Sequence, residues 1–186
     1  TVLDARATSG ATPGAGLTLT AGRDIALDGL VILTDGAFTA TAGGRFTQAA
    51  GSAVATGSGA IAVTAAGSVA ASNLLTSGAV TLRSTAGSVN VSRAVSGLAG
   101  RGGALTIEGR DGVTLGAGAL VGTAVLTSAQ GAVDTSAATL DATGAITLTG
   151  ASVSTGALIT PAAVSVSSNG AVNLGAVAGA AGEVNA

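Results

Sequence analysis

A short pattern of alternating apolar residues recurs along the chain and limits the possible folds more than any other feature. Each copy has two apolar residues separated by one other residue, then a turn containing glycine, then a second apolar pair. The clearest copy is Leu17-Thr-Leu-Thr-Ala-Gly-Arg-Asp-Ile-Ala-Leu27. The copies lie on average 21 residues apart and begin at Leu17, Phe38, Ile61, Val80, Leu105, Val125, Ile146 and Val164. Alternation with a period of two predicts strands, because successive side chains of a strand point to opposite sides.

Two short strands and a looser third strand in each copy predict a parallel β-helix. One circuit of the chain around the helix axis is called a coil below, and equivalent residues of stacked coils form columns. In the sixth coil we expect Val125 and Thr127 to face inward and Leu126 to face outward. A β-sandwich also has many short strands, but it does not keep a constant period. Disorder caused by the Gly, Ala and Ser content is the other alternative.

The repeat also predicts how the chain is divided. Residues 1–15 precede the first copy and are expected to form a linker or a cap. Residues 16–177 form the repeats, in about eight coils of about 21 residues. Residues 178–186 form a tail or the start of a further coil, and they have no capping signature, so we expect the solenoid to continue there.

The composition excludes several kinds of function. Only 9% of the residues are charged, and there is no Cys, His, Trp or Tyr. This excludes zinc fingers, thiol chemistry, haem ligation and a histidine general base. Seven scattered cations, all of them arginine, provide no surface for nucleic acid. The long uncharged stretches are interrupted by Gly, Ser, Thr or Asn, so insertion into a membrane is not expected.

The repeat resembles the haemagglutinin-type repeat of filamentous-haemagglutinin-like exoproteins, the adhesins of two-partner secretion systems. The resemblance covers roughly residues 16–177. Its most distinctive segment is Ala21-Gly-Arg-Asp-Ile25, with degenerate copies at Ala40–Phe46, Ile61–Val69 and Leu105–Val113. It implies a right-handed β-helix, an extracellular or outer cell-surface location and a Gram-negative source. The Asn-Pro motifs of that family's secretion domain are missing here, so the resemblance implies either an internal repeat segment or a related fibre protein without such a secretion domain.

Two acidic residues of the fifth coil are candidates for a catalytic pair. Glu108 and Asp111 flank Arg110 in the turn of the fifth coil. A β-helical polysaccharide lyase or hydrolase needs acidic groups that converge on one groove. Arg83 and Asp134, in the adjacent coils, are expected at columns that do not match this turn. We therefore expect a solvated turn, no catalytic residue and no enzyme.

The other charged motifs are expected to be structural. Gly22-Arg-Asp24 and Gly109-Arg-Asp111 differ in order from the receptor-binding Arg-Gly-Asp, and exposed charge pairs of this kind add little stability. The Gly-Gly-x-Gly-x-Asp calcium repeat is also missing, and the aspartates do not recur at fixed turn positions. No metal site and no cofactor are expected.

Threonines recur at outward positions beside the first strand of several copies. The columns are expected to be interrupted by Ala62, Arg83, Glu108 and Leu126. Flat threonine columns suit contact with ice or glycan, although threonine is common on strand surfaces without any function. The candidates for surface contact are Thr18, Thr20, Thr39, Thr41, Thr147 and Thr149.

These observations favour a non-catalytic structural stalk or repeat segment of a bacterial surface or secreted adhesin. The alternative is a subunit of a self-assembling extracellular filament or surface layer. An ice- or glycan-binding β-helix is a third hypothesis. The expected partners are other copies of the chain, joined end to end or laterally, or a receptor on a host or cell surface. No nucleic acid and no membrane insertion are expected.

Overall fold

The computed structural model describes residues 3–4, 14–93, 95–96, 100–179 and 181–185. These residues wind into a parallel β-solenoid of about eight coils, with about 21 residues in each coil. The predicted all-β parallel β-helix is thus confirmed. Among the described residues, no helix is both long enough and apolar enough to cross a membrane.

Each complete coil contributes one strand to each of three faces, and all strand pairs are parallel. The strands of the first face are Leu17–Ala21, Phe38–Ala42, Ile61–Ala65, Val80–Ser84, Ala104–Gly109, Thr123–Ser128, Ile146–Gly150, Ala163–Ser168 and Ala181–Asn185. The strands of the second face are Leu3–Asp4, Ile25–Leu27, Phe46–Gln48, Val69–Ala71, Ser88–Val91, Gly112–Leu115 and Val172–Asn173. The strands of the third face are Leu30–Ile32, Ala53–Ala55, Asn73–Leu75, Val95–Ser96, Ala119–Val121 and Val177–Ala178. Two longer strands, Ala132–Ala142 and Ser152–Ile159, turn the corner and belong to both the second and the third face.

The core is a set of apolar columns that run along the axis inside the three faces. On the first face, every member of the leading inward column from Phe38 to Val164 is at most 3% exposed. Leu17 heads this column and is only partly buried, because no described strand covers it. A column of this kind packs each apolar side chain against equivalent neighbours above and below. The core is therefore continuous along the solenoid, although it is narrow in cross-section.

The sixth coil has a register one residue away from the predicted one. Ala124 pairs with Leu105, and Leu126 pairs with Ile107 and faces inward without exposed surface. The prediction that Val125 and Thr127 face inward is therefore wrong, since both lie on the outward side. The observed register buries a leucine and leaves the threonine hydroxyl near solvent, which avoids placing a polar group in an apolar column.

Buried serines join successive coils at the corner after the first face. The hydroxyl of Ser84 donates to the carbonyl of Gly67 in the preceding coil at 2.7 Å. The same oxygen accepts a hydrogen bond from the Gly87 N–H at 2.9 Å. Ser128 and Ser168 repeat this double hydrogen bond two and four coils further along. Each serine thus satisfies backbone groups that the turn would otherwise leave buried without a partner.

The turns between the third and the first face bring successive coils very close together. A Cβ atom added at Gly36 would overlap the carbonyl of Ala15, and one added at Gly59 would overlap the carbonyl of Gly36. Glycine is therefore required at these stacked positions by the close approach of the coils.

Both ends of the described structure continue the same sheets. Leu3–Asp4 pairs with Ile25 and Ala26 on the second face. Of the predicted linker or cap over residues 1–15, residues 1–2 and 5–13 lie outside the described residues. In the predicted tail, Ala181–Asn185 pairs with residues 163–167 on the first face.

Candidate functional site

The threonines proposed for surface contact all lie on the outward side of the first face. They occupy two columns, in which Thr18 pairs with Thr39 and Thr20 pairs with Thr41. Thr147 and Thr149 continue the same two columns near the other end. The observed strand pairing places four further threonines in these columns, namely Thr64, Thr81, Thr106 and Thr127. The hydroxyl array is thus larger than the sequence alignment indicated.

Charged side chains interrupt the second of these threonine columns. Arg83 and Glu108 are paired neighbours in the second column, and Arg83 Nε lies 3.5 Å from Glu108 Oε2. The expectation that Arg83 lies at a column unrelated to the fifth-coil acidic pair is therefore wrong. Ala62 interrupts the first column, as predicted, whereas Leu126 is buried and does not belong to the outward surface. The long charged side chains break the flatness that contact with an ordered surface such as ice would need.

A shallow hollow of about 350 Å³ lies beside this ion pair, along the corner between the first and the second face. Arg83, Glu108, Arg110 and Gln130 are among the side chains that line it. Asp111 lies 4.0 Å from Arg110 Nε, and both side chains are about half exposed. Two guanidinium groups could bind carboxylate or sulfate oxygens. However, Glu108 and Asp111 cancel their charge, and exposed pairs of this kind contribute little binding or stability.

Two aspartates outside this hollow have lowered pKa values. The pKa of Asp35 lies below its ordinary value of 3.8, because the hydroxyl and the N–H of Ser58 in the next coil both donate to its carboxylate. The pKa of Asp134 is lowered by its hydrogen bonding with Ser136, whose N–H donates to its carboxylate at 2.9 Å. Hydrogen bonds to a carboxylate favour its charged form. Both aspartates therefore organise local backbone and are not poised to exchange protons near neutral pH.

The two Gly-Arg-Asp turns are exposed at their charged residues. In the first, Asp24 accepts a hydrogen bond from the Arg45 N–H of the next coil at 2.7 Å. In the second, the contact between Arg110 and Asp111 is an exposed ion pair. The aspartate of the first turn is thus engaged in joining two coils.

The outward side of the third face carries an apolar surface that was not predicted from the sequence. Leu30, Ile32, Leu120 and Ile159 lie on this side and are 53%, 47%, 42% and 42% exposed. A signal for it was present in pairs of adjacent apolar residues such as Leu158-Ile159. Successive side chains of a strand point to opposite sides of the sheet. Only one member of such a pair can therefore face the core of the solenoid, and the other must face outward.

A second hollow, of about 280 Å³, interrupts this apolar surface. Leu120, Thr139 and Asp141 are among the residues that line it. Arg101 reaches Asp141 from a different coil, with Nη1 2.6 Å from Asp141 Oδ1 and 3.0 Å from its backbone oxygen. This partner was not predictable from local motifs, because the two residues are 40 positions apart.

Neither the possible metal ligands nor the comparison with known proteins adds a further site. Among the described residues, no group of three or more His, Cys, Asp or Glu is arranged to hold a metal ion. Comparison with protein-family models, with curated proteins and with solved structures found no match. The resemblance to filamentous-haemagglutinin-like exoproteins therefore stays a prediction.

Proposed function

We propose that the chain is a non-catalytic structural stalk, a stiff spacer in a bacterial surface or secreted adhesin. The observation that carries this proposal is the continuity of the inward columns, whose members from Phe38 to Val164 stay buried through every coil. Such a rod resists bending, because bending would open hydrogen-bonded sheets and separate packed columns at the same time. Eight coils spaced by about 4.8 Å give a rod of roughly 38 Å.

Side-chain bonds between coils support the mechanical part of the proposal. Ser84 and Asp24 each form a hydrogen bond to backbone of an adjacent coil. Asp35 does the same with the N–H of Ser58. These bonds add to the backbone ladders and act at the turns, where a solenoid has fewer strand pairs.

The extracellular location rests on the resemblance of the repeat to secreted adhesins. The absence of cysteine fits a chain that crosses the cell envelope unfolded and forms its coils outside. Immunogold labelling of intact and permeabilised cells that produce the chain tests this location. Labelling of intact cells is expected, and labelling only after permeabilisation would contradict the proposal.

Single-molecule pulling tests the stalk mechanics directly. A solenoid of stacked coils should unfold in steps that each release about 70 Å of contour length, the extended length of about 21 residues. The Leu126→Ala variant should lower the force of these steps, whereas Val125→Ala should not. Smooth extension without force steps would rule out a load-bearing rod.

A subunit of a self-assembling filament is the second candidate function. The specific observation that favours it is the apolar surface on the outward side of the third face, which lateral association of copies would cover. Leu30, Ile32, Leu120 and Ile159 are between 42% and 53% exposed on this side.

A further inference from the structure

One outward column of the third face alternates between large apolar residues and other residues from coil to coil. We call it the alternating column, and its members, from the first to the eighth coil, are Ile32, Ala55, Leu75, Ser96, Leu120, Asp141, Ile159 and Ala178. The large residues Ile32, Leu120 and Ile159 are 47%, 42% and 42% exposed. Every odd-numbered coil therefore presents a large apolar side chain to solvent on this face.

The residues of the even-numbered coils lie lower than their large neighbours. Ala55 faces outward but is only 5% exposed, because it lies between two larger side chains of the column. Asp141 is held by Arg101 at 2.6 Å, and its side chain is only 23% exposed. Ser96 and Asp141 also line the hollow of about 280 Å³, on either side of Leu120. The face thus has projections about 9.6 Å apart, two coil spacings, with recesses between them.

We propose that two copies of this chain associate side by side, in antiparallel orientation, through the alternating column. A two-fold axis perpendicular to the rods, between the fourth and the fifth coil, sets each odd coil of one copy opposite an even coil of the other. Ile159 of one copy then faces Ala55 of the second copy, so a projection meets a recess. This inference rests on the lateral association of the filament candidate above and specifies its geometry.

The same axis fills the hollow of each copy with side chains of the other. Leu75 of the second copy lies opposite Asp141, and Leu120 of the second copy lies opposite Ser96. Both leucines therefore enter the hollow that Ser96 and Asp141 line. The contact is isologous and closes on itself, so it produces a pair of rods. This pair would be the unit that a filament repeats.

Polarity and charge on this face also fit a second copy. In the two outward columns of the face, Asp141 is the only charged residue among those that the structure describes, and Arg101 neutralises it. Identical faces therefore meet without the repulsion of like charges. In the neighbouring column the two-fold axis sets Asn73 opposite Thr139 of the second copy. An amide and a hydroxyl can form a hydrogen bond there.

A parallel pair fits this surface less well. With a two-fold axis along the rods, coils of equal number face each other, so the large residues of both copies meet at the odd coils. The even coils would then face each other across gaps, as at Ala53 and Ala55 in the second coil. Gaps of this kind lose dispersion contacts on both sides. The antiparallel pair avoids them, because each level has one projection and one recess.

The area of the face is sufficient for a specific contact of modest affinity. Eight coils spaced by about 4.8 Å, and two outward columns about 15 Å wide with their side chains, give roughly 570 Å² in each copy. The pair would bury roughly 1,100 Å² in total, which is just above the limit of about 1,000 Å² for specific interfaces. We therefore expect a dissociation constant on the order of micromolar.

Sedimentation velocity of the purified chain over a wide concentration range tests the contact, with far-UV circular dichroism as the check of folding. The wild-type chain should form dimers as its concentration rises. Leu120→Lys should weaken the dimer by about a hundredfold, because it places an unpaired charge in the hollow of the second copy. The matched control is Val125→Lys on the outward side of the first face, since Val125 is 38% exposed and Leu120 is 42% exposed. This control should change the dissociation constant by less than about threefold.

Distances between spin labels, measured by pulsed electron paramagnetic resonance, test the orientation. The chain has no cysteine, so Thr41→Cys and Thr149→Cys each create a single labelling site. Both lie in one outward column of the first face, in the second and the seventh coil. In the antiparallel pair, two Thr41 labels are offset along the axis by five coils, about 24 Å, whereas a Thr41 label and a Thr149 label are level. A mixture of the two labelled variants should therefore show a shorter distance than either variant alone.

The other outcomes separate this inference from the proposed functions. A shorter distance in each variant alone than in the mixture would indicate a parallel pair and overturn the antiparallel geometry, but would leave the filament candidate standing. Association that Leu120→Lys does not weaken would overturn the contact through the third face. Folded chains that stay monomeric at every concentration would overturn both this inference and the filament candidate. None of these results would affect the stalk, which fails only if single chains lack force steps on pulling.

Discussion

The neighbouring residues Val125 and Leu126 provide a direct test of the coil register. The solenoid buries Leu126 completely and leaves Val125 38% exposed on the outer surface. The two substitutions Val125→Ala and Leu126→Ala should therefore have very different effects on the free energy of unfolding. Alignment of the repeats by sequence alone gives the opposite ranking, because it places Val125 in the column.

The expected magnitudes follow from the surroundings of each side chain. Leu126 pairs in register with Ile107 and Leu148, and neither neighbour has exposed surface. A cavity at Leu126 cannot be filled from solvent, so Leu126→Ala should cost about 3 kcal/mol, within the range for buried leucines. Val125→Ala removes two methyl groups near solvent and should cost less than about 0.5 kcal/mol.

Thermal unfolding followed by far-UV circular dichroism measures the difference. For a chain of this length, about 3 kcal/mol corresponds to a fall in Tm of about 6–12 °C. Val125→Ala should shift Tm by no more than about 2 °C. If Val125→Ala were the more damaging substitution, the register of the sixth coil described above would be refuted.

Three further predictions test the core, a corner and an aspartate. Val113→Asp should cost at least about 3 kcal/mol by burying an unpaired carboxylate, whereas Thr106→Asp on the outer surface should cost less than about 0.5 kcal/mol; similar urea midpoints would contradict this. Ser84→Ala should cost about 1–2 kcal/mol through two lost hydrogen bonds, and an unchanged urea midpoint would contradict their role. The contribution of Asp35 to stability should be complete above its ordinary pKa of 3.8 and be lost as the pH falls through its lowered folded pKa. Titration of Asp35 by NMR should show this pKa rising in Ser58→Ala, and an unchanged pKa would count against the bond.

The sequence was sufficient to predict the fold because the repeat gives two independent signals. Alternation in copies such as Leu17–Leu27 indicates strands, and the constant spacing of the copies indicates stacked coils. Register within one coil was harder to predict. Ala124, Val125 and Leu126 are all apolar, so hydrophobicity alone permits two registers that differ by one residue. Pairing with the fifth coil decides between them.

The surface was less predictable than the core for two physical reasons. The pair Arg83–Glu108 lies at equivalent places of adjacent copies, so strict alignment of the columns would have found it. The contact between Arg101 and Asp141 joins the turn before the fifth coil to the third face of the sixth coil, and no local pattern encodes it. The exposure of Leu30 and Ile32 was also not predictable, because all residues of the run Leu30-Val-Ile32 are apolar and such a run does not reveal which of them face outward.

Because every coil repeats the same register, the chain can change in length by whole coils. Each coil contacts mainly the coils directly before and after it, so a segment that starts and ends at equivalent column positions is a complete unit. Duplication of residues 61–79, for example, would join Ala79 to a second Ile61 at a junction equivalent to the existing one between Ala79 and Val80. Recombination between copies can therefore lengthen or shorten the rod in steps of one coil, about 4.8 Å each, while the two ends stay unchanged.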